Sequence, residues 1–240
     1  MANVRLSTVG AVCAVLTVGL FVVGIALTAS SGVQVLIPET GAEGREWIAD
    51  VDGAGDAFFV GAWFIIFGGF LGVVALIGFY DALRDAGPVL LLAPILGAVG
   101  LTLVTVSHLV PIALAYDFVP GYVSAGDAGK ETLDVAADTF ASLALITNYA
   151  GNVLNWGVVV PLYAWAILRT GAVPRWIGWL GFVTAFFAGW LGLFAPASGV
   201  IEGLTTIGFF GFFAFLLSLG IALLRRRRGH AAPAVPVPAR

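Results

Sequence analysis

The sequence predicts an all-α protein, a polytopic transmembrane bundle of six helices with cytoplasmic N- and C-termini. Three observations carry this. Of 240 residues, 60% are hydrophobic and only 10% charged, against about 45–50% and about 25% in soluble domains. Six stretches free of Asp, Glu, Lys and Arg each exceed the ~20 residues a helix needs to cross ~30 Å of hydrocarbon. The remaining charges are sorted by sign between alternate loops. A β-barrel is the other fold able to span lipid. Consecutive apolar positions such as Phe58-Phe59-Val60 and Val89-Leu90-Leu91-Leu92 break the alternation its strands require.

The first span is expected at 6–29, between Arg5 and the polar pair Ser30-Ser31. Arg5, an apolar stretch and Ala29-Ser30-Ser31 also follow the plan of a cleavable signal peptide, which would leave five helices and an outside N-terminus. The apolar core is longer than the roughly 7–15 residues of such signals, so a retained span is expected. An acidic loop of residues 30–56 precedes the second span, 57–80. Asp81-Ala82-Leu83-Arg84-Asp85-Ala86-Gly87-Pro88 then marks a helix end and turn. The third span, 88–114, contains Pro94 and Pro111, and the fourth, 139–168, contains Pro161; each proline removes a backbone hydrogen bond and favours a kink. Residues 117–138 form the second long loop. The turn Arg169-Thr170-Gly171-Ala172-Val173-Pro174 leads to the fifth span, 176–196, and the sixth follows at 203–224. Residues 1–228 thus make one transmembrane domain, and 229–240, with Pro233, Pro236 and Pro238, a disordered cytoplasmic tail.

Orientation follows from charge, because Lys and Arg in short loops stay cytoplasmic. With the N-terminus inside, Arg5, Arg84, Arg169, Arg175, Arg225, Arg226, Arg227, Arg228 and Arg240 lie inside, and only Arg45 and Lys130 outside. Of the acids, only Asp81 and Asp85 fall inside. Trp165, Trp176 and Trp179 mark the inner boundary, where aromatic rings sit at headgroup level. The run Arg225 to Arg228 is a stop-transfer anchor that also attracts anionic lipid, at about 1 kcal/mol per charge. Membrane lipids are therefore the expected partners, and nucleic acid is not. Gly68 and Gly72, and Gly181, Ala185 and Gly189, mark close helix approaches. Bundle packing is their expected use, with a homo-oligomer interface as the alternative.

The stretch Asn155-Trp156-Gly157-Val158-Val159-Val160-Pro161-Leu162-Tyr163, followed by Gly171-Ala172-Val173-Pro174-Arg175-Trp176-Ile177-Gly178-Trp179-Leu180-Gly181, resembles the most recognisable part of an uncharacterised six-helix prokaryotic membrane family. Helix count and the long loop after the first span fit across most of the chain. The resemblance implies a multi-pass membrane protein; the family carries no established activity or site residues.

Much chemistry is excluded by inventory. Cys13 is the single cysteine, so there is no internal disulfide and no cysteine metal cluster. Haem held by two side chains is not expected, since the histidines are His108 and the tail's His230 and the only methionine is Met1. The sole lysine, Lys130, lies in an outer loop, which excludes a buried Schiff base. Asp81/Asp85 and Asp134/Asp138 have the spacing of Mg²⁺-diphosphate sites, yet they fall on opposite sides of the membrane and read as solvated helix ends. Asp50-Val51-Asp52-Gly53-Ala54-Gly55-Asp56 lacks the full ligand pattern of a calcium loop. Ser198, in a short outer turn, makes no protease with a distant His108. No metal and no cofactor are expected.

Polar side chains within lipid are costly and default to a functional role when they cluster. Asn148, Asn152 and Asn155 share one helix face, and Thr102, Thr105 and His108 form a stripe on the third span. At ~1.5 Å per residue, His108 lies about 14 Å below Asp117 and Asn148 about 15 Å below Asp138, so the two meet at one depth. His108, Thr105, Asn148, Asn152 and Asn155 are the candidate ligand-binding residues. Asp56, Asp117, Asp138 and Glu202, at the outer ends of four helices, are candidates for a pocket mouth that concentrates cations. The leading expectation is a non-enzymatic membrane protein that binds or passes a small solute or cation through an outward-facing pocket. The alternatives are a membrane enzyme acting on a lipid or isoprenoid, with a carboxylic acid as general acid, and an assembly partner of other membrane proteins.

Overall fold

The computed structural model describes residues 5–34, 42–197 and 199–229. Residues 230–240 of the sequence-predicted tail, and Ser198, lie outside these; Gly229, expected as the first tail residue, is instead the last residue of the final helix. The described residues are mostly helical, with no strand among them, and six of the helical segments are long and apolar enough to cross a membrane: Leu6–Ser30, Gly55–Ala86, Pro88–Ser124, Asp127–Thr170, Arg175–Phe194 and Gly199–Arg226. The protein is a multi-pass membrane protein.

The helices are α1 (Leu6–Ser30), α2 (Ala42–Gly53), α3 (Gly55–Leu83), α4 (Leu92–Ala113), α5 (Val119–Ser124), α6 (Asp127–Leu154), α7 (Val160–Thr170), α8 (Arg175–Thr184) and α9 (Gly199–Gly229). Three spans contain a widened π turn: Leu114–Phe118 between α4 and α5, Asn155–Val159 between α6 and α7, and Ala185–Trp190 after α8. The first two have a physical cause in sequence. Pro120 and Pro161 each fall in the first turn of the following helix, where they lack the N–H that would bond the carbonyl four residues back. The ladder is interrupted there, and a π turn absorbs the mismatch.

α1 is built into the bundle along its length, burying Gly10, Ala11, Ala14, Thr17, Val18, Gly24 and Thr28, chiefly against α3. Its amino end is capped from α3: the Ser7 N–H donates to Asp81 Oδ2 at 3.1 Å. The small residues predicted to mark close approaches do so within the bundle. Gly68 abuts Phe21, Gly72 abuts Leu101, Gly181 abuts Ala164 and Phe215, and Gly189 abuts Gly157. The main core runs through α1, α3, α4, α7, α8 and α9, with Phe79, Tyr163, Phe215 and Leu219 fully enclosed. The Tyr163 hydroxyl donates to the Leu76 carbonyl at 2.6 Å.

Among the described residues, the two stretches expected as long loops are instead largely helical. α2, α5 and the first three turns of α6 fold over one end of the bundle around an apolar cluster of Val33, Trp47, Ile48, Val51, Phe58, Leu114, Val119 and Tyr122. Trp47 anchors this cap by donating from Nε1 to the Gln34 carbonyl at 3.0 Å. Asp134 ties it laterally, accepting from Tyr122 Oη at 2.7 Å and pairing with Arg45 at 3.4 Å.

Candidate functional site

Between the cap and the opposite end lies a cavity of about 300 Å³, lined from α1 by Phe21 and Ile25, from α3 by Ile65, and from α4 by Leu101, Val104 and His108. Asn148, Asn152, Asn155 and Trp156 line it from α6 and its π turn, and Phe209, Phe212 and Phe213 from α9. One wall is polar and the rest aromatic and aliphatic. Four of the five predicted ligand-binding residues thus share one cavity.

The polar wall is organised as a hydrogen-bond chain. Asn152 Nδ2 donates to Asn148 Oδ1 at 2.8 Å, Asn148 Nδ2 donates to Ser107 Oγ at 3.0 Å, and Ser107 Oγ donates to the Val104 carbonyl at 2.7 Å. His108 Nδ1 lies 2.7 Å from the same carbonyl and 3.2 Å from Ser107 Oγ. A carbonyl only accepts, so Nδ1 carries the hydrogen and, in the neutral ring, Nε2 is left as an acceptor. Nε2 meets no hydrogen-bond partner among the described residues. Nor does the Asn155 amide, although Asn155 is only 4% exposed and His108 8%. Both side chains border the cavity, so their unused polar atoms are offered to whatever occupies it.

Asn155 is held in place by the helix opposite. Its amide presses on Gly100 of α4, where a Cβ would come within 2.7 Å of Nδ2. One turn further towards the cap, Gly151 packs on the Gly100 carbonyl and on Val104. The aromatic wall is itself a packed unit: Trp156 meets Phe209 and Phe212 edge-on or tilted at 5.8 and 6.1 Å, and Phe213 joins Phe209 to Phe21 at 4.6 and 5.6 Å.

Thr105 and Thr102 stand elsewhere. Thr105 is buried, but it donates to its own helix at Leu101 and faces Gly69 of α3. Thr102 is exposed and donates to the Ala98 carbonyl. Asp56 and Asp117 are exposed and Asp138 half-buried, and none of them lines the cavity. The Glu202 side chain lies outside the described residues. On α3, on the third span and on α6, a member of the apolar cap cluster stands between the acid and the cavity residue: Phe58, Leu114 and Ala141. The acids and the amides are therefore separated by a packed apolar layer.

Sequence reasoning passed over Ser107, the hub joining His108 to the asparagines, and the aromatic wall. Its available signals were the adjacency of Ser107 to His108 and the density of phenylalanine from Phe209 to Phe213. No protein-family model, curated protein or solved structure matches the chain.

Proposed function

We propose that this cell-membrane protein, its arginine-bearing end cytoplasmic, binds a small uncharged molecule, apolar over most of its length with one polar end, in the central cavity. The observation that carries this reading is the mixed lining: His108 and three asparagines together with Phe21, Trp156, Phe209, Phe212 and Phe213. Most of the ligand's contact area would be apolar, with a few placed polar groups fixing its orientation. At ~30 Å³ per water-sized unit, the space suits about ten non-hydrogen atoms. The unused acceptor on His108 and the Asn155 amide favour a group that both donates and accepts, such as a hydroxyl.

A cation is a poorer match, because amides and an imidazole line the cavity and, among the described residues, no carboxylate does. The same lining disfavours the lipid-modifying enzyme, which needs a carboxylic acid within reach of its substrate. Binding is favoured over passage by the apolar layer between the cavity and the acidic cap.

Thermal unfolding of the full chain in detergent, with octan-1-ol and octane as probes, tests the reading. Octan-1-ol raises the midpoint above that with octane in the wild type, and Asn152→Leu erases the difference. Equal responses of wild type and Asn152→Leu to octan-1-ol would overturn the assignment.

A further inference from the structure

Two buried side chains of the central cavity hold polar atoms without a partner, His108 at Nε2 and Asn155 at its amide. Among the described residues the one fully enclosed side-chain polar atom lacking a partner is Thr184 Oγ1, away from this cavity, so the unused atoms of His108 and Asn155 are open to the space they border. They sit at different depths. The Asn155 amide lies at Gly100, where a Cβ would meet Nδ2 at 2.7 Å, whereas the His108 ring lies beside the Val104 carbonyl, 2.7 Å from Nδ1. Gly100 and Val104 are one turn apart on α4, and a helical carbonyl points onward along the axis, so the two groups are roughly 8 Å apart. One oxygen making two hydrogen bonds of about 2.8 Å spans at most about 5.6 Å. A single hydroxyl therefore reaches one of them and not both.

The aromatic part of the lining narrows the guest further. Trp156 and Phe209 are inclined at 63°, Phe209 and Phe213 at 67°, and Phe21 and Phe213 at 44°. Rings so inclined offer a flat guest an edge from one and a face from the next, the arrangement aromatic pairs prefer. Resting on the reading of this cavity as a site for a hydroxyl-bearing ligand, we propose that the ligand's polar end is a benzene ring with two hydroxyls para to each other, one donating to His108 Nε2 and the other bonding the Asn155 amide. Para hydroxyls add the length of the ring to the span of the two hydrogen bonds, which closes the distance a single oxygen leaves. Such a ring falls within the roughly ten non-hydrogen atoms the space admits. With its Nδ1 hydrogen held by Val104, His108 presents only an acceptor. The hydroxyl form of the ring therefore fits at that end, and a quinone carbonyl does not.

Isothermal titration of the full chain in detergent with hydroquinone, phenol and cyclohexane-1,4-diol tests this. The Kd for hydroquinone lies about fivefold below that for phenol, the net worth of one further hydrogen bond. It lies about threefold below that for cyclohexane-1,4-diol, which keeps both hydroxyls and lacks the aromatic faces. Asn155→Ala brings hydroquinone to the phenol value. Equal wild-type Kd values for hydroquinone and phenol, or a difference that survives Asn155→Ala, would overturn the two-point grip, and equal values for hydroquinone and the cyclohexanediol would overturn the aromatic guest. If octan-1-ol still stabilises the wild type more than octane does, such a result removes this proposal alone; if it does not, the reading of the cavity falls with it.

Discussion

Asn155 and Gly100 occupy complementary space: the amide of the one fills the position where a side chain on the other would begin, with Nδ2, Cγ and Oδ1 at 2.7, 2.9 and 2.9 Å from a Cβ built there. Gly100→Ala must displace a side chain that is 4% exposed and has little room to move. Overpacking of this kind costs about 1–3 kcal/mol, so the thermal midpoint in detergent falls. Asn155→Ser in the Gly100→Ala background recovers most of the loss, because the shorter side chain vacates the overlap. Additive losses in the double variant would show that the two residues do not compete for this space.

Trp190 supplies the hydrogen bond that Pro161 withholds. Its indole Nε1 donates to the Gly157 carbonyl at 2.9 Å, and the residue four positions after Gly157 is the proline, which has no N–H. Trp190→Phe leaves that carbonyl without its donor and lowers stability by about 1 kcal/mol. In a Pro161→Ala background the backbone can supply its own donor, and the same substitution costs less. A double-mutant cycle on unfolding midpoints reads the difference directly.

Ser107 is the junction of the cavity's polar wall, fully buried and bonded to both Asn148 and the Val104 carbonyl. Ser107→Ala frees the Asn148 amide to turn towards the cavity. The expected loss is about 0.6 kcal/mol, typical of an interhelical bond in lipid. Asn148→Leu costs more, because it strips partners from both Ser107 and Asn152. Chemical unfolding of the two variants checks the order, and a costlier Ser107→Ala would contradict the chain as drawn.

The spans were legible because lipid leaves the sequence little choice: a crossing helix must stay apolar for its whole length. The shared face of Asn148, Asn152 and Asn155 was legible for a related reason, since spacings of four and three hold wherever the helix is regular. Thr105 shows where periodicity stops. It lies three residues before His108, a turn of about 60° short of full register, and that offset sends it to α3 while His108 reaches the cavity. The aromatic wall was hidden by its residue type. Phe210 is 63% exposed while its neighbours Phe209 and Phe213 line the cavity, and phenylalanine is at home in either place. α2 was missed because a short acidic amphipathic segment looks like a loop until the partner it covers is known, and α5 because its Pro120-Gly121 pair reads as a turn.

The cap is held by two bonds of different character on Asp134. Its ion pair with Arg45 is exposed and 3.4 Å long, so salt screens it and Arg45→Gln costs at most about 1 kcal/mol. Its bond from Tyr122 is shorter, 2.7 Å, and the Tyr122 ring is buried in the apolar cluster. A hydrogen bond to a charged group contributes about 1.5–3 kcal/mol, so Tyr122→Phe loosens the cap more than Arg45→Gln. Hydrogen exchange across residues 42–53 measures this: the tyrosine variant exchanges faster at any salt concentration, whereas the wild type and the arginine variant converge at high salt.

The sorting of charge makes a claim about sides that accessibility can check, because the lone cysteine is silent. Cys13 is 8% exposed within α1, beyond reach of a membrane-impermeant maleimide. Ser124 and Asp85 are exposed at opposite ends of the bundle, and the Ser124 hydroxyl bonds only within its own helix turn, at Pro120 and Gly121. With the arginine-bearing end cytoplasmic, as we propose from the excess of Arg there, Ser124→Cys is labelled in intact cells and Asp85→Cys only after permeabilisation. The reverse pattern would place the acidic cap in the cytoplasm. Labelling of the wild type in permeabilised cells would instead show that α1 does not stay packed against α3.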